Sequence, residues 1–514
     1  MLTLISVGAF WYYFHAGLTL AYSDSQSHLN IARRVVDSLT PGLAQIGSIW
    51  LPLPHFLMLP TIGIDFMWHT GLSGTLVSMA AYVATGVLLY KLLLEVGVGA
   101  LGRIIGVAVF ALNPNILYLQ STAMTELLLL ATMTASVYQF LLWKKRGSIG
   151  ALVRSSFWAM LSTLVRYEGW FLLAVEAVLV LFPAHGRDRK RTEGDFILFC
   201  ALGGFGIILW LLWNWAIFGD PLYFAFGQFS AHTQQENFSA NGLLVTQGNA
   251  LLSAKIYSIA VLFIIGWPIA FLVLFGVVVS RFRVYVNRSS LFVLILLFAP
   301  FAFNILALYL GHTILFMPHI LGAGWFNVRY GVMCVPFVAA CSAIAVDFWN
   351  QYIRIFIALL VVLAVAFSFS YEPVTLQDAK EGVARKDLQT AGYELARYAG
   401  NNPNDLILIS AAANDPIVFL SGFPIRRFIY EGSGAYWKKS LENPEVYASY
   451  VFVDKKNSMD FIAEHLWKEG KLDRQFEKVY EDEWFLVYRV RDPLVQIEEP
   501  TNPTSWMSNS MTIG

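Results

Sequence analysis

Charge is scarce in this chain. Asp, Glu, Lys and Arg make up 14% of its 514 residues, where a soluble globular domain carries roughly 25%. That shortage excludes a disordered protein and an ordinary soluble enzyme. Excess charge of either sign is also missing. The 35 Lys and Arg balance 35 Asp and Glu, so no global field draws nucleic acid or an acidic partner. Cysteine is rarer still. Cys200, Cys334 and Cys341 all sit in apolar runs, which leaves neither a disulfide framework nor a thiolate metal site. There is no internal repeat. The first 21 residues lack the basic start and cleavage site of a signal peptide, so they read as a first membrane helix.

Hydrophobic residues fill the space that charge leaves, at 57% of the chain. The few charges are unevenly spread. Residues 1–371 carry 19 Lys and Arg and 13 Asp and Glu, leaving 16 and 22 for residues 372–514. The first part reads as a membrane domain and the second as a soluble domain. About eleven apolar runs approach the ~20 residues that cross a bilayer. They lie near 3–21, 72–94, 100–119, 126–143, 150–165, 170–183, 196–217, 251–279, 289–310, 331–349 and 354–371. The predicted fold is therefore an α-helical polytopic membrane protein with a small C-terminal domain.

Alternate loops are basic. They hold Lys144, Lys145, Arg146 and Arg154; then Arg187, Arg189, Lys190 and Arg191; then Arg281, Arg283 and Arg288. Basic loops stay in the cytoplasm. The N-terminus is then inside, and an odd number of crossings puts residues 372–514 outside. Two long outer segments follow, 22–71 and 218–250, the second with a glycan acceptor pattern at Asn237. Residues 28–38 read as an amphipathic helix, a lid on the membrane surface. In the tail, 405–411, 426–430, 449–454, 475–481 and 484–490 read as strands. The stretches near 388–399, 435–442 and 458–470 read as helices, giving a small α/β domain. No glycine-rich phosphate loop follows its first strand. The last residues, PTNPTSWMSNSMTIG, read as disordered.

Ionisable groups at membrane depth are costly, so each asks for a reason. Asp24 follows the first span directly. It reads either as a general base or as an interfacial cap. His28, four residues on, shares its helical face and leaves room for a divalent metal that would need further ligands. Glu126 opens the fourth span, with Thr125 placed to cap that helix. Arg166 and Glu168 share an outer turn, where they either serve a substrate or neutralise each other. Glu176 lies deeper in the sixth span, facing a cavity in this reading. Arg329 and Tyr330 open the tenth span, and an arginine there either snorkels or holds a phosphate through a two-pronged contact. Two carboxylates and two arginines thus recur at one depth from distant loops. Such an arrangement suits a substrate that is part lipid and part polar.

In order along the chain stand YSDSQSHLNIARR around Asp24, LPLPH ending at His55, NPN at 113–115 and QSTAMTE ending at Glu126. VRYEGW around Arg166, FGDPLYF at 218–224 and the RYG…P block at 329–336 follow. With these motifs, residues 1–371 resemble the GT-C superfamily of integral-membrane glycosyltransferases, near the lipid-A aminoarabinose transferases and the protein O-mannosyltransferases. The resemblance implies an inverting transfer of a sugar from a polyprenyl-phosphate donor to a lipid, glycan or protein acceptor on the outer face. It implies Asp24 as base, Glu126 as second acid, and Arg329 with Arg166 on the donor phosphate. His28, His55, Glu168 and Tyr330 would support them, and the tail would be an accessory outer domain. Two departures stand out. Asp24 is followed by Ser25 rather than a second acid, and the second outer loop has no DxD, which weakens a metal-dependent version. A transporter or flippase of lipid-linked glycans is the alternative reading, although its usual repeat is missing. A structural membrane protein would leave Asp24 and Glu126 unexplained.

Overall fold

In the computed structural model, helices make up most of the described residues among the first 371. The structure describes residues 1–184, 189–227, 230–240, 242–284, 289–383 and 386–491. Arg187, Arg288 and PTNPTSWMSNSMTIG lie outside the described residues, as do the side chains of Arg189, Arg281, Arg283 and Asn237. Every apolar run expected to cross a membrane contains helix, although the run at 3–21 is helical only to His15. Six helices are long and apolar enough to span: Leu72–Val96, Glu126–Arg146, Lys190–Phe218, Leu291–Leu310, Val328–Asp347 and Gln351–Ser368. The run at 251–279, expected as one crossing, is a broken pair, Ala250–Ile265 and Trp267–Ser280, bent by 113°. The other four runs form helices of 12 to 15 residues. At ~1.5 Å per residue these reach roughly 18–23 Å, short of the ~30 Å hydrocarbon layer.

Burial sorts the helices into layers. Buried residues make up 89% of the apolar stretch of Val328–Asp347 and 83% of that of Glu126–Arg146, against 22% for Lys190–Phe218 and 11% for Gln351–Ser368. The outer two expose Phe205, Trp215, Phe356 and Leu363. A helix apolar on all sides with no protein over it is built for lipid. Small residues let the inner helices touch. A Cβ at Gly106, on Ala100–Ala111, would meet the Ala339 carbonyl and the Ala343 side chain at 2.7 Å. Gly102 lies one turn away, over the Ala343 carbonyl. This is the close small-residue packing of membrane bundles.

The break at 266 has a local cause. Gly266 takes φ +75°, and Pro268 follows in the sequence. The helix cannot run on, because that backbone is left-handed and the proline lacks an N–H. The Ile264 carbonyl, freed at the break, accepts from the Asn113 and Asn115 amides at 2.9 and 3.1 Å. Asn113 also caps the helix Pro114–Leu119 through its carbonyl oxygen. The NPN motif is thus a junction that satisfies backbone groups no water would reach.

The tail carries a five-stranded sheet. Its strands are β3 (Ile407–Leu408), β4 (Phe428–Ile429), β5 (Tyr450–Asp454), β6 (Phe476–Glu481) and β7 (Phe485–Val490); β1 (Phe316–Met317) and β2 (Leu321–Phe326) form a separate hairpin. The order is β4-β3-β5-β7-β6, parallel among the first three and antiparallel beyond. A helix not expected from the sequence, Ala411–Leu420, joins β3 to β4. Its first N–H is closed by Glu431, which accepts from Ala411 N at 3.0 Å and also from the Ser410 hydroxyl at 2.6 Å. A second unexpected helix, Val374–Val383, buries Leu376 and Ala379 in the membrane domain's core.

The expected surface lid differs in the structure. The helix begins earlier, at Ser23, and ends at Arg34. Ser25, Gln26, His28, Leu29, Asn30, Ala32 and Arg33 are all buried. The tail covers its outer side: Asn30 donates to the Asp415 carbonyl at 3.0 Å, and Arg34 pairs with the Asp415 carboxylate. The periodicity that suggested a helix against lipid serves a helix between two protein layers.

Candidate active site

The site is built from helix starts. Asp24 lies in the first turn of Ser23–Arg34, Glu126 opens Glu126–Arg146 and Glu168 opens Glu168–Val180. Carboxylates are favoured at these positive helix ends. Arg329 is placed by a tight turn. Asn327 adopts the left-handed backbone at φ +57°, a conformation asparagine tolerates, and its amide donates to the Ile314 carbonyl at 3.0 Å. The broken helix backs this turn, with Tyr257 donating to the Tyr330 carbonyl at 2.9 Å.

These starts converge. Arg329 binds Asp24 at 2.5 Å and lies 3.3 Å from Glu126. Arg166 reaches the same Glu126 oxygen at 3.4 Å and grips Glu168 through Nε and Nη2 at 3.1–3.3 Å. Glu126 is fully buried, one carboxylate bridging two guanidinium groups. Thr125 makes no capping bond; its hydroxyl instead accepts from Arg166 at 3.3 Å. The Tyr330 ring packs against both arginines, 5.0 Å from Arg166 and 5.3 Å from Arg329. Tyr22 lies 4.9 Å from Arg329. From the segment 218–250, Phe224 stacks on Tyr167 of the VRYEGW turn at 5.9 Å.

Asp24 and His28 do not act as a pair. Asp24 faces Arg329, whereas His28 Nδ1 contacts His55 Nε2 at 3.0 Å, and its ring packs on Trp50. One proton serves that contact. Burial, followed by the charges of Arg166 and Arg329, holds the His28 imidazole down at about 3. His28 is therefore neutral near pH 7 and unfit as a proton acceptor there. Among the described residues, no three of His, Cys, Asp and Glu group as metal ligands. Glu176, read as facing a cavity, is fully buried and accepts from the Ser136 hydroxyl at 2.9 Å.

Sequence reasoning missed one carboxyl. Asp378, from the helix Val374–Val383, lies 3.2 Å from the Tyr22 hydroxyl and is 6% exposed. Burial pushes its carboxyl up to about 6, against the pull of Arg329. It sits in a tail of ordinary composition, where one more acid carries no signal.

No family model matches the sequence, and no curated protein matches it. Solved structures do match in fold. ArnT from Cupriavidus metallidurans in the apo state aligns with a TM-score of 0.59 at 11% identity, over 94% of this chain and 97% of that one. ArnT from the same organism bound to undecaprenyl phosphate aligns with a TM-score of 0.55 at 10% identity, over the same shares. This chain has the GT-C fold. The GT-C alignment spans both the membrane helices and the tail, so the two parts follow that architecture together.

Proposed function

We propose that the protein transfers a sugar from a polyprenyl-phosphate carrier to an acceptor at the outer surface of the membrane, with inversion at the anomeric carbon. The cluster of Asp24, Glu126, Arg166, Glu168 and Arg329 on a GT-C fold carries this reading. ArnT with undecaprenyl phosphate bound supplies the precedent for a lipid phosphate on this fold.

In this reading the Arg329 fork receives the donor phosphate, and Arg166 adds a second positive charge. The carbon–oxygen bond to phosphate breaks as the acceptor oxygen or nitrogen attacks. A phosphate leaves readily once its charge is neutralised. The acceptor is the weak partner and gives its proton to Asp24. Asp24 is the one carboxylate of the cluster with substantial exposure, its side chain being 39% exposed. Glu126 keeps both guanidinium groups aimed. The arginines supply the positive charge, and no step runs through a divalent ion.

Sidedness draws support from the ends of one helix. Glu126 and Arg146 are the first and last residues of a helix of 21 residues, roughly 30 Å apart at ~1.5 Å per residue. Lys144, Lys145 and Arg146 therefore lie opposite the cluster, and positive charge favours the cytoplasm. The decisive experiment incubates the purified full-length protein with undecaprenyl-phosphate-linked sugars and follows sugar release. Release that depends on Asp24 supports the reading. Movement of intact lipid between leaflets without release would favour a flippase.

A further inference from the structure

We propose that Asp378 takes up a proton when the lipid phosphate binds beside Arg329, so that a carboxyl from the tail couples donor binding to pH. The inference rests on the reading of the cluster as a lipid-phosphate site.

Charge counting gives the first argument. Around Arg166 and Arg329 stand Asp24, Glu126, Glu168 and Asp378, while His28 is neutral. Among the described residues, two cations face four carboxyls before any phosphate arrives. An incoming phosphate adds negative charge to a buried site that already has too much. Something must be neutralised, and protonating a carboxyl is the least costly way when no cation enters.

Hydrogen bonding names the carboxyl. The Tyr22 hydroxyl has one proton and two neighbours, the Thr375 carbonyl at 2.7 Å and Asp378 Oδ2 at 3.2 Å. It can donate to only one of them. If it donates to Thr375, the shorter contact, Asp378 is satisfied by donating its own proton to Tyr22. If Asp378 is ionised, the hydroxyl turns to it instead. The site thus holds both protonation states of Asp378 by rotating one O–H. Asp24, Glu126 and Glu168 have no such arrangement, because each faces a guanidinium, which only donates, rather than a hydroxyl that can turn.

The remaining groups around Asp378 fix the direction. Arg329, through its charge and its peptide N–H, and the Tyr22 hydroxyl draw the carboxyl down; burial and Asp24 push it up, and it settles at about 6. Tyr118, on Pro114–Leu119, is also within its field. The nearest lysine of the same helix, Lys380, is taken up by Glu372. A phosphate at Arg329 weakens the downward pull and adds a like charge, so binding raises the Asp378 pKa further. Between the free and bound values, binding takes a proton from solvent. Donor affinity then rises as pH falls toward 6, by up to tenfold for each unit of that rise.

Calorimetry on the full-length protein tests this, with undecaprenyl phosphate as probe at pH 7 in buffers of different ionisation heat. The slope of heat against buffer heat counts protons taken up. The probe's own phosphate titrates near pH ~6 and, once bound, is coupled to Asp378, so the affinity difference at pH 8, where the free phosphate has already lost that proton, isolates Asp378. Asp378→Asn keeps the shape of the protonated acid. It should take up fewer protons than the wild type and bind the probe several-fold more tightly at pH 8, the two affinities meeting at pH 5.5. Equal uptake and parallel pH profiles would overturn the inference while leaving the site's assignment intact. Absence of probe binding by the wild type would overturn the assignment and this inference with it. Tyr22→Phe guards against misfolding of the first variant. It removes the rotating hydroxyl and should move the midpoint of uptake upward; an unmoved midpoint would also overturn the proposal.

Discussion

Replacing Asp24 by Asn separates two effects that a merely structural role would join. Asp24 is both the proposed base and the partner that holds Arg329 at 2.5 Å. The amide keeps the size and loses the basic oxygen. A positioned base is worth ~10²–10⁴ in rate, so single-turnover sugar transfer should fall by that factor. Donor binding should move the other way. Asp24 competes with the phosphate for one guanidinium. Partly exposed ion pairs are worth up to ~1 kcal/mol. With the Asp24 side chain 39% exposed and that of Arg329 9% exposed, the competition should cost the donor about that much. Freed from it, Arg329 should bind donor up to ~5-fold more tightly. The assay measures transfer and equilibrium donor binding on the same purified variant. A rate close to wild type would refute Asp24 as base and move that role elsewhere in the cluster. Equal losses of rate and binding would show instead that Asp24 only shapes the site.

Three further outcomes are expected. Arg329→Lys keeps the charge but loses the planar fork that matches phosphate, so donor affinity should fall at least ~10-fold in a binding titration; wild-type affinity would dismiss the phosphate role. A reporter that is active only in the cytoplasm, fused after Gly514, should be silent, and a strong signal would put the cluster on the other face. Asp415→Ala leaves Arg34 without its carboxylate under the tail; removing one partner of a buried pair costs ~3–5 kcal/mol, so thermal unfolding followed in detergent should come several degrees earlier, and an unchanged midpoint would show the clasp to be weak.

The cluster was legible because charge is rare in residues 1–371, so Asp24, Glu126, Arg166, Glu168 and Arg329 stand out against an apolar background. Their convergence could be inferred from shared depth alone. The same signal fails in the tail, where Asp378 and Asp415 are acids among many. The break at 266 was readable in principle, since Gly266 and Pro268 flank Trp267, but apolarity runs on through both and masks the punctuation. Pairing of His28 with His55 was hidden for a different reason. Periodicity places His28 on a face with Asp24, yet the side chains diverge to partners that only the fold brings near. The lid helix failed likewise: an amphipathic pattern reports a need for cover and is silent on whether lipid or protein provides it.

The helix Val374–Val383 blurs the line between catalytic body and appendage. Thr375 donates to Asn115 through both its N–H and its hydroxyl, at 3.1 Å each, and its carbonyl accepts from Tyr22. Asn115 in turn holds the freed carbonyl of the broken helix. One short stretch after the last membrane helix therefore ties the first loop, the NPN junction and the bend into one polar knot. Grafting a foreign tail at residue 372 would cut that knot and leave Asn115 and Tyr22 with unmet partners. Chimeras joined after Val383 would keep it whole. In engineering terms, the exchangeable module begins beyond this helix, and any exchange of tails should respect that seam.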